Sequence, residues 1–228
     1  MKKYNIILVA VLLLIALLTS SYQKDKKPIT PTKTITLISD MNSDGFILNT
    51  SPKTVFTADT RLKIGWDGGF ASRAFLSFNI SDLLPPSGKK LVINRAVLKV
   101  YEQNTNMLPF RGDDITRVVQ TYLLNYNTLD ANDFDGVTIA DCGVITTSGS
   151  NVLKEYPLDV SIPVAGYIGS NTSVSALQFR LQFTHNENVS ETSTLSNAMW
   201  CIYSGEDQGT TFNNYRPVLH ITYHWENK

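Results

Sequence analysis

Cysteine is scarce in this chain: Cys142 and Cys201 are the only two among 228 residues, too few for a disulfide framework or a thiolate metal cluster. The pair is compatible with one bridge or with two buried thiols, Cys201 sitting within an apolar strand pattern. Histidine is nearly as rare, with three. His220 and His224 are four residues apart, a spacing that gathers ligands on a helix but separates them by about 13 Å on a strand. They read as exposed strand residues. No Gly-x-Ser-x-Gly elbow is present, nor a cysteine with a histidine signature, so a nucleophilic triad has no visible seat. Charge of one sign is missing too. Twenty basic and 20 acidic residues give a formal net charge of zero, which leaves no basic face for nucleic acid.

Long apolar runs are absent but for one. Lys2 and Lys3 precede Ile6–Leu18, an unbroken apolar stretch followed by Thr19, Ser20 and Ser21. It is shorter than the roughly 20 residues a spanning helix needs. Its charged start and small polar end match a secretory signal over residues 1–21. Ser21 stands where a lipoprotein signal carries its acylated cysteine, so no thiol is there to take the lipid. Export to the cell surface or beyond is implied, with membrane contact only through this segment. Residues 22–34 carry Lys24, Lys26, Lys27, Pro28 and Pro31; with few apolar groups they read as a flexible tether.

The remaining domain, residues 35–226, alternates. Ala74, Leu76, Phe78 and Ile80 fall on one side of a strand, Arg73, Ser77 and Asn79 on the other. Strands are predicted at 35–39, 53–57, 62–66, 74–80, 92–101, 137–139, 152–158, 177–183, 199–203 and 218–223. Turn residues such as Ser43-Asp-Gly45, Asp67-Gly-Gly69 and Pro85-Pro-Ser-Gly88 separate them. The pattern predicts an all-β, single jelly-roll-like antiparallel β-sandwich with one or two short helices. One helix is expected across Ile115–Leu123, where Ile115, Val118, Val119, Tyr122 and Leu123 share a helical face behind Asp113 or Asp114. A shorter one is expected from Pro163 to Ile168.

Arg73-Ala-Phe-Leu-Ser-Phe78, Ala96-Val-Leu-Lys-Val-Tyr101, Trp200-Cys-Ile-Tyr-Ser-Gly-Glu206 and Arg216-Pro-Val-Leu-His-Ile-Thr-Tyr223, in that order, resemble the bacterial secreted DNRLRE-type β-sandwich domains. That superfamily includes carbohydrate-binding module family 96. The resemblance spans Ile38–Tyr223. It implies an exported, non-catalytic module that binds polysaccharide or another glycan. Arg73 and Glu206, at marked positions of the pattern, read as a structural ion pair or as backbone-bonding groups. The sequence departs from the pattern at Asn79, where aspartate is usual, and at Gly205 between Ser204 and Glu206, so no binding residue is carried over. The alternatives are a structural or adhesive surface protein contacting another protein, and a polysaccharide lyase or hydrolase. The last would need an acid–base pair such as Glu206-Asp207 or Asp133-Asp135.

Sugars present apolar C–H faces that stack on aromatic rings. Trp200, Phe179, Phe183 and Tyr223 lie on apolar strand phases and belong to the core. Trp66, Phe70, Tyr126, Phe212 and Tyr215 lie at turns or loop margins, as does Tyr122. Those five are the candidate ligand-binding residues, centred on Trp66 and Tyr215, with packing the alternative for each. Asp40-Met-Asn-Ser-Asp-Gly45 matches the front half of a calcium loop, but Ser51 stands where the bidentate glutamate belongs. Calcium held by Asp40, Asn42 and Asp44 would need oxygens from elsewhere; a plain polar turn is the alternative. Asp130–Gly136 poses the same choice. No other cofactor is implied.

Overall fold

Alternation along β5 (Phe70–Asn79) separates two cores. Ala74, Leu76 and Phe78, with Ile80 just beyond, enter the main core alongside Leu98, Leu177, Phe179 and Trp200. Ala71 and Phe75 point the other way, into a second cluster with Ile47, Trp66, Leu124, Tyr126, Leu129 and Phe134. The sheet is therefore covered on both faces here. The segment 125–136 supplies the outer cover, a role its polar composition conceals.

The computed structural model describes residues 30–57, 59–67, 69–103, 118–147, 153–171, 174–184, 197–205 and 213–228. The folded unit runs Thr32–Lys228; residues 1–21, expected to be a secretory signal, and Glu206 and Phe212 lie outside the described residues. Besides β5, the strands are β1 (Lys33–Ile38), β2 (Gly45–Leu48), β3 (Thr54–Phe56), β4 (Arg61–Asp67), β6 (Lys89–Glu102), β7 (Val118–Leu124), β8 (Ala140–Thr146), β9 (Lys154–Asp159), β10 (Ala176–Phe183), β11 (Asn197–Tyr203) and β12 (Val218–Asn227). One helix, α1 (Ser161–Ser170), lies between β9 and β10. The hydrogen-bonded order is β1-β12-β6-β11-β4-β5-β10-β7-β8; β2 pairs with β5 and carries β3, and β9 pairs with β6. All of these pairings are antiparallel. The chain is an all-β, jelly-roll-like sandwich, as the alternation predicts, with one short α-helix among the described residues.

Four elements correct the sequence reading. Val118–Leu124, expected within a helix, is strand β7, paired with β10 and β8. Val119 and Leu123 are four apart, and four is compatible with both a helical and a strand period. The run Val-Val-Gln-Thr-Tyr is β-branched and aromatic, which suits a pleated surface. The strand expected at 137–139 lies instead at β8, and the short apolar β2 was not anticipated at all. β1 also begins inside the expected tether, with Lys33 opposite Tyr223 and Thr34 opposite Thr222. The helix expected from Pro163 to Ile168 is present and buries Val164. No disulfide joins Cys142 and Cys201; both are buried, and burial pushes the Cys142 thiol up to about 12.

Candidate functional site

On the outer face of β5 the side chains change character along the strand. Arg73 and Phe75 lie under the cover segment, whereas Ser77 and Asn79 continue beyond it. There the sheet opens into a cleft of about 560 Å³, lined by Asp40, Ser43, Ser77, Asn79, Ser81, Asn125, Asn127, Thr128, Tyr167, Asn171, Val174, Ser175, Ala176 and Gln178. This volume is ordinary for small-ligand sites, about 300–1,000 Å³, but the lining is dominated by amides and hydroxyls. Tyr167 is its one ring and Asp40 its one carboxylate among the described lining residues.

Four connections hold the walls. Asp40 N–H donates to Ser77 O at 2.7 Å, and Ser77 N–H donates to the Asp44 Oδ1 at 2.9 Å, locking the 40–44 turn to β5. Tyr126 Oη donates to Ser43 O at 3.0 Å, tying the 125–128 segment to the same turn. Gln178 Oε1 accepts from Tyr126 N at 2.8 Å and Asn127 N at 3.3 Å. Its Nε2 donates back to Asn127 O at 3.3 Å, and Asn127 adopts φ 50°. Ile80 N–H donates to Ser175 O at 2.8 Å, closing the far wall.

The amide groups differ in what they leave open. Asn79 Oδ1 accepts from Ser81 N at 2.9 Å and Ser81 Oγ at 2.5 Å, which leaves its Nδ2 as a donor. Asn171 Nδ2 donates to Tyr167 O at 2.9 Å, which leaves its Oδ1 as an acceptor. Asn125 and Asn127 are exposed and keep both groups. Asp40 is more committed: its oxygens accept from Asn42 N at 3.1 Å, Asn42 Nδ2 at 3.3 Å and Ser43 Oγ at 3.0 Å.

The calcium reading does not match this geometry. Asp44 is 1 % exposed and turns inward, its Oδ2 accepting from Gly205 N at 3.0 Å. Burial raises its carboxyl to about 7 against the lowering effect of the Ser39 hydroxyl and the Ser77 and Gly205 N–H groups. Asp40 and Asn42 instead close the turn on themselves. Among the described residues no three His, Cys, Asp or Glu side chains gather as a metal cluster. The second acidic segment is likewise structural. Ala131–Asp135 is a 3-10 helix started by a capping box between Asp130 and Asp133. Arg180 Nη1 donates to Phe134 O at 3.1 Å and Gly136 O at 2.9 Å. Arg73 reaches the same Phe134 O and lies 3.4 Å from Asp135.

The aromatic candidates disperse. Trp66, expected at a turn with one free face, is 6 % exposed and sits in the second core; the strand runs through it to Asp67. Tyr126 is buried in the same cluster, and burial with the nearby Asp44 charge drives its phenol well above the usual range. Phe70 is 43 % exposed at the start of β5. Tyr215 packs 5.9 Å from Tyr101 and 5.6 Å from Tyr203 between ring centroids. Tyr203 pairs with Arg61, at the opposite end of β4 from Trp66, roughly 17 Å away along the strand. The two centres of the expected site are thus apart, and neither lines the cleft. His220 and His224 are half-buried, bonded to Thr36 Oγ1 and Asn94 Oδ1, each at 2.8 Å.

Apart from Asp40 and Ser43, which belong to the calcium-loop-like stretch, the residues that line the cleft had no motif in sequence. Most are isolated Asn, Ser and Thr, and the β5–β10 register, with Ser77 opposite Gln178, helps to assemble them. No family model matches the chain, and no curated protein matches it either.

Proposed function

We propose that the chain is an exported, non-catalytic module that binds polysaccharide at or outside the cell surface, and that it does so in the amide-lined cleft. The observation that carries this reading is the set of exposed carboxamides of Asn79, Asn125, Asn127 and Asn171 around one cavity beside Tyr167. A hydroxyl is both donor and acceptor, and a carboxamide answers both roles. The ring of Tyr167 supplies the apolar surface a pyranose face needs. Export rests on residues 1–21 and the glycan class on the strand resemblance; the polar lining of the cleft supports the reading.

Electrophoresis through native gels carrying soluble polysaccharides tests the reading. Retardation by at least one polymer, with no release of reducing ends or unsaturated products, is the expected outcome. Unaltered migration in every gel would reject it, and product release would favour the lyase or hydrolase alternative. One observation favours the other alternative, a surface protein that contacts another protein. Val144 is exposed on β8, the last strand in the sheet order, Ile139 just before that strand is exposed too, and Val137 is 88 % exposed.

A further inference from the structure

Resting on that reading of the same cleft, we propose that its ligand is a neutral glycan rather than a uronic-acid or sulfated polymer. The first ground is charge. Among the described residues that line the cavity there is no Lys, Arg or His. An anionic sugar entering here would lose hydration without a countercharge, and an unpaired anion is the costliest polar group to desolvate. Asp40 adds repulsion, because its carboxylate stays at the rim, held by Asn42 and Ser43.

The second ground is polarity of the open groups. The Ser81 N–H fixes the oxygen of Asn79 as the acceptor toward the turn that follows β5, so the group left to a ligand is a donor. The Tyr167 carbonyl fixes the nitrogen of Asn171 in the same way, so the group left there is an acceptor. A ligand that engages both must accept at one wall and donate at the other. Neutral sugar hydroxyls do both, whereas ionised carboxylate and sulfate groups only accept. Asn171 Oδ1 therefore discriminates against an anionic group placed before it, and the missing cations remove any compensation.

The test compares retention of the chain from residue 22 onward in gels of a neutral β-glucan and a neutral galactomannan with gels of alginate and polygalacturonate, at low and high salt. Two variants accompany it. Asn79→Asp keeps the oxygen that caps Ser81 and replaces the donor with an anion. Asn171→Ala removes the open acceptor, and melting temperatures verify that both remain folded. The expected result is retention by a neutral polymer, insensitive to salt, weakened about tenfold in Asn79→Asp and about fivefold in Asn171→Ala, single hydrogen-bond effects of ordinary size. Retention by alginate or polygalacturonate at equal or greater strength overturns the inference while leaving glycan binding intact. Neutral retention unchanged in both folded variants also overturns it, because the ligand would then sit elsewhere. Failure to bind any of the four polymers overturns the inference together with the glycan-binding reading beneath it.

Discussion

Arg73 and Arg180, on the neighbouring strands β5 and β10, donate to one acceptor, the carbonyl oxygen of Phe134. Arg180 pairs in register with Phe75, so both guanidinium groups stand on the outer sheet face and hold the cover segment from below. Arg73 also stacks on the Phe134 ring, its guanidinium carbon 4.0 Å from the ring centre. The segment they hold begins with Asn125, Asn127 and Thr128. Cleft and clamp are parts of one construction.

Arg180→Ala should destabilise the fold by about 2–3 kcal/mol, because it strips donors from the Phe134 and Gly136 carbonyls in a buried setting. Arg180→Lys should recover little of this, since an ammonium is a point charge without the planar fork. Urea unfolding measures both. A change below about 0.5 kcal/mol in either variant would show that the cover segment holds without the clamp.

Trp66→Ala should cost about 3–5 kcal/mol, the usual penalty for a deleted core aromatic, and Phe78→Ala should behave alike from the main core. Phe70→Ala, at an exposed strand end, should be close to neutral. An unaltered melting temperature for Trp66→Ala would place its ring at the surface, as its neighbouring glycines suggest in sequence.

Gly205 donates to Asp44 in a space that admits no side chain. A β-carbon there would lie 2.4 Å from Ser39 O and 2.8 Å from Asp44 Oδ2. Gly205→Ala should therefore destabilise by about 1–3 kcal/mol through overpacking. Near-neutral behaviour would mean that the β11 end can shift away from Asp44.

The Asp44 carboxyl has a folded value of about 7, above the roughly 3.9 of an unfolded chain. Between those values the folded state binds the proton more tightly. The stabilisation is complete below about pH 4 and is lost as pH rises through 7. The stability of the native chain minus that of Asp44→Asn should accordingly fall between pH 4.5 and pH 8. A difference that stays constant or rises over that interval would mean that Asp44 is ionised throughout.

With Asp44 turned inward and Asp40 closing its own turn, melting curves in millimolar calcium and in excess chelator should coincide. A calcium-dependent rise in melting temperature would signal a bound ion by linkage.

Much of the fold was legible because buried strands obey period two: Phe78 and Leu98 are both fully buried, as their phases require. The reading failed where two periods coincide, as at Val119 and Leu123. It failed again where glycines flank a buried ring, as at Trp66. The site was less legible for a different reason. Asn79 ends a strand, Asn125 follows β7 and Asn171 caps a helix; each is ordinary by itself, and their meaning arises from antiparallel register and from Gln178 bridging to Asn127. Asn79 and Gly205, marked in sequence only as departures from a family pattern, prove to sit at the cleft and against Asp44.

The most direct measurement of where ligand binds is a two-dimensional ¹H–¹⁵N NMR titration of the chain from residue 22 onward with a soluble neutral oligosaccharide, following side-chain carboxamide signals. The Nδ2 protons of Asn79, Asn125, Asn127 and Asn171 should shift together and saturate at one affinity, while backbone signals around Phe70 and Tyr215 stay in place. Saturable shifts centred on Phe70 or Tyr215, with those four carboxamides unmoved, would contradict the assignment of the cleft as the binding site.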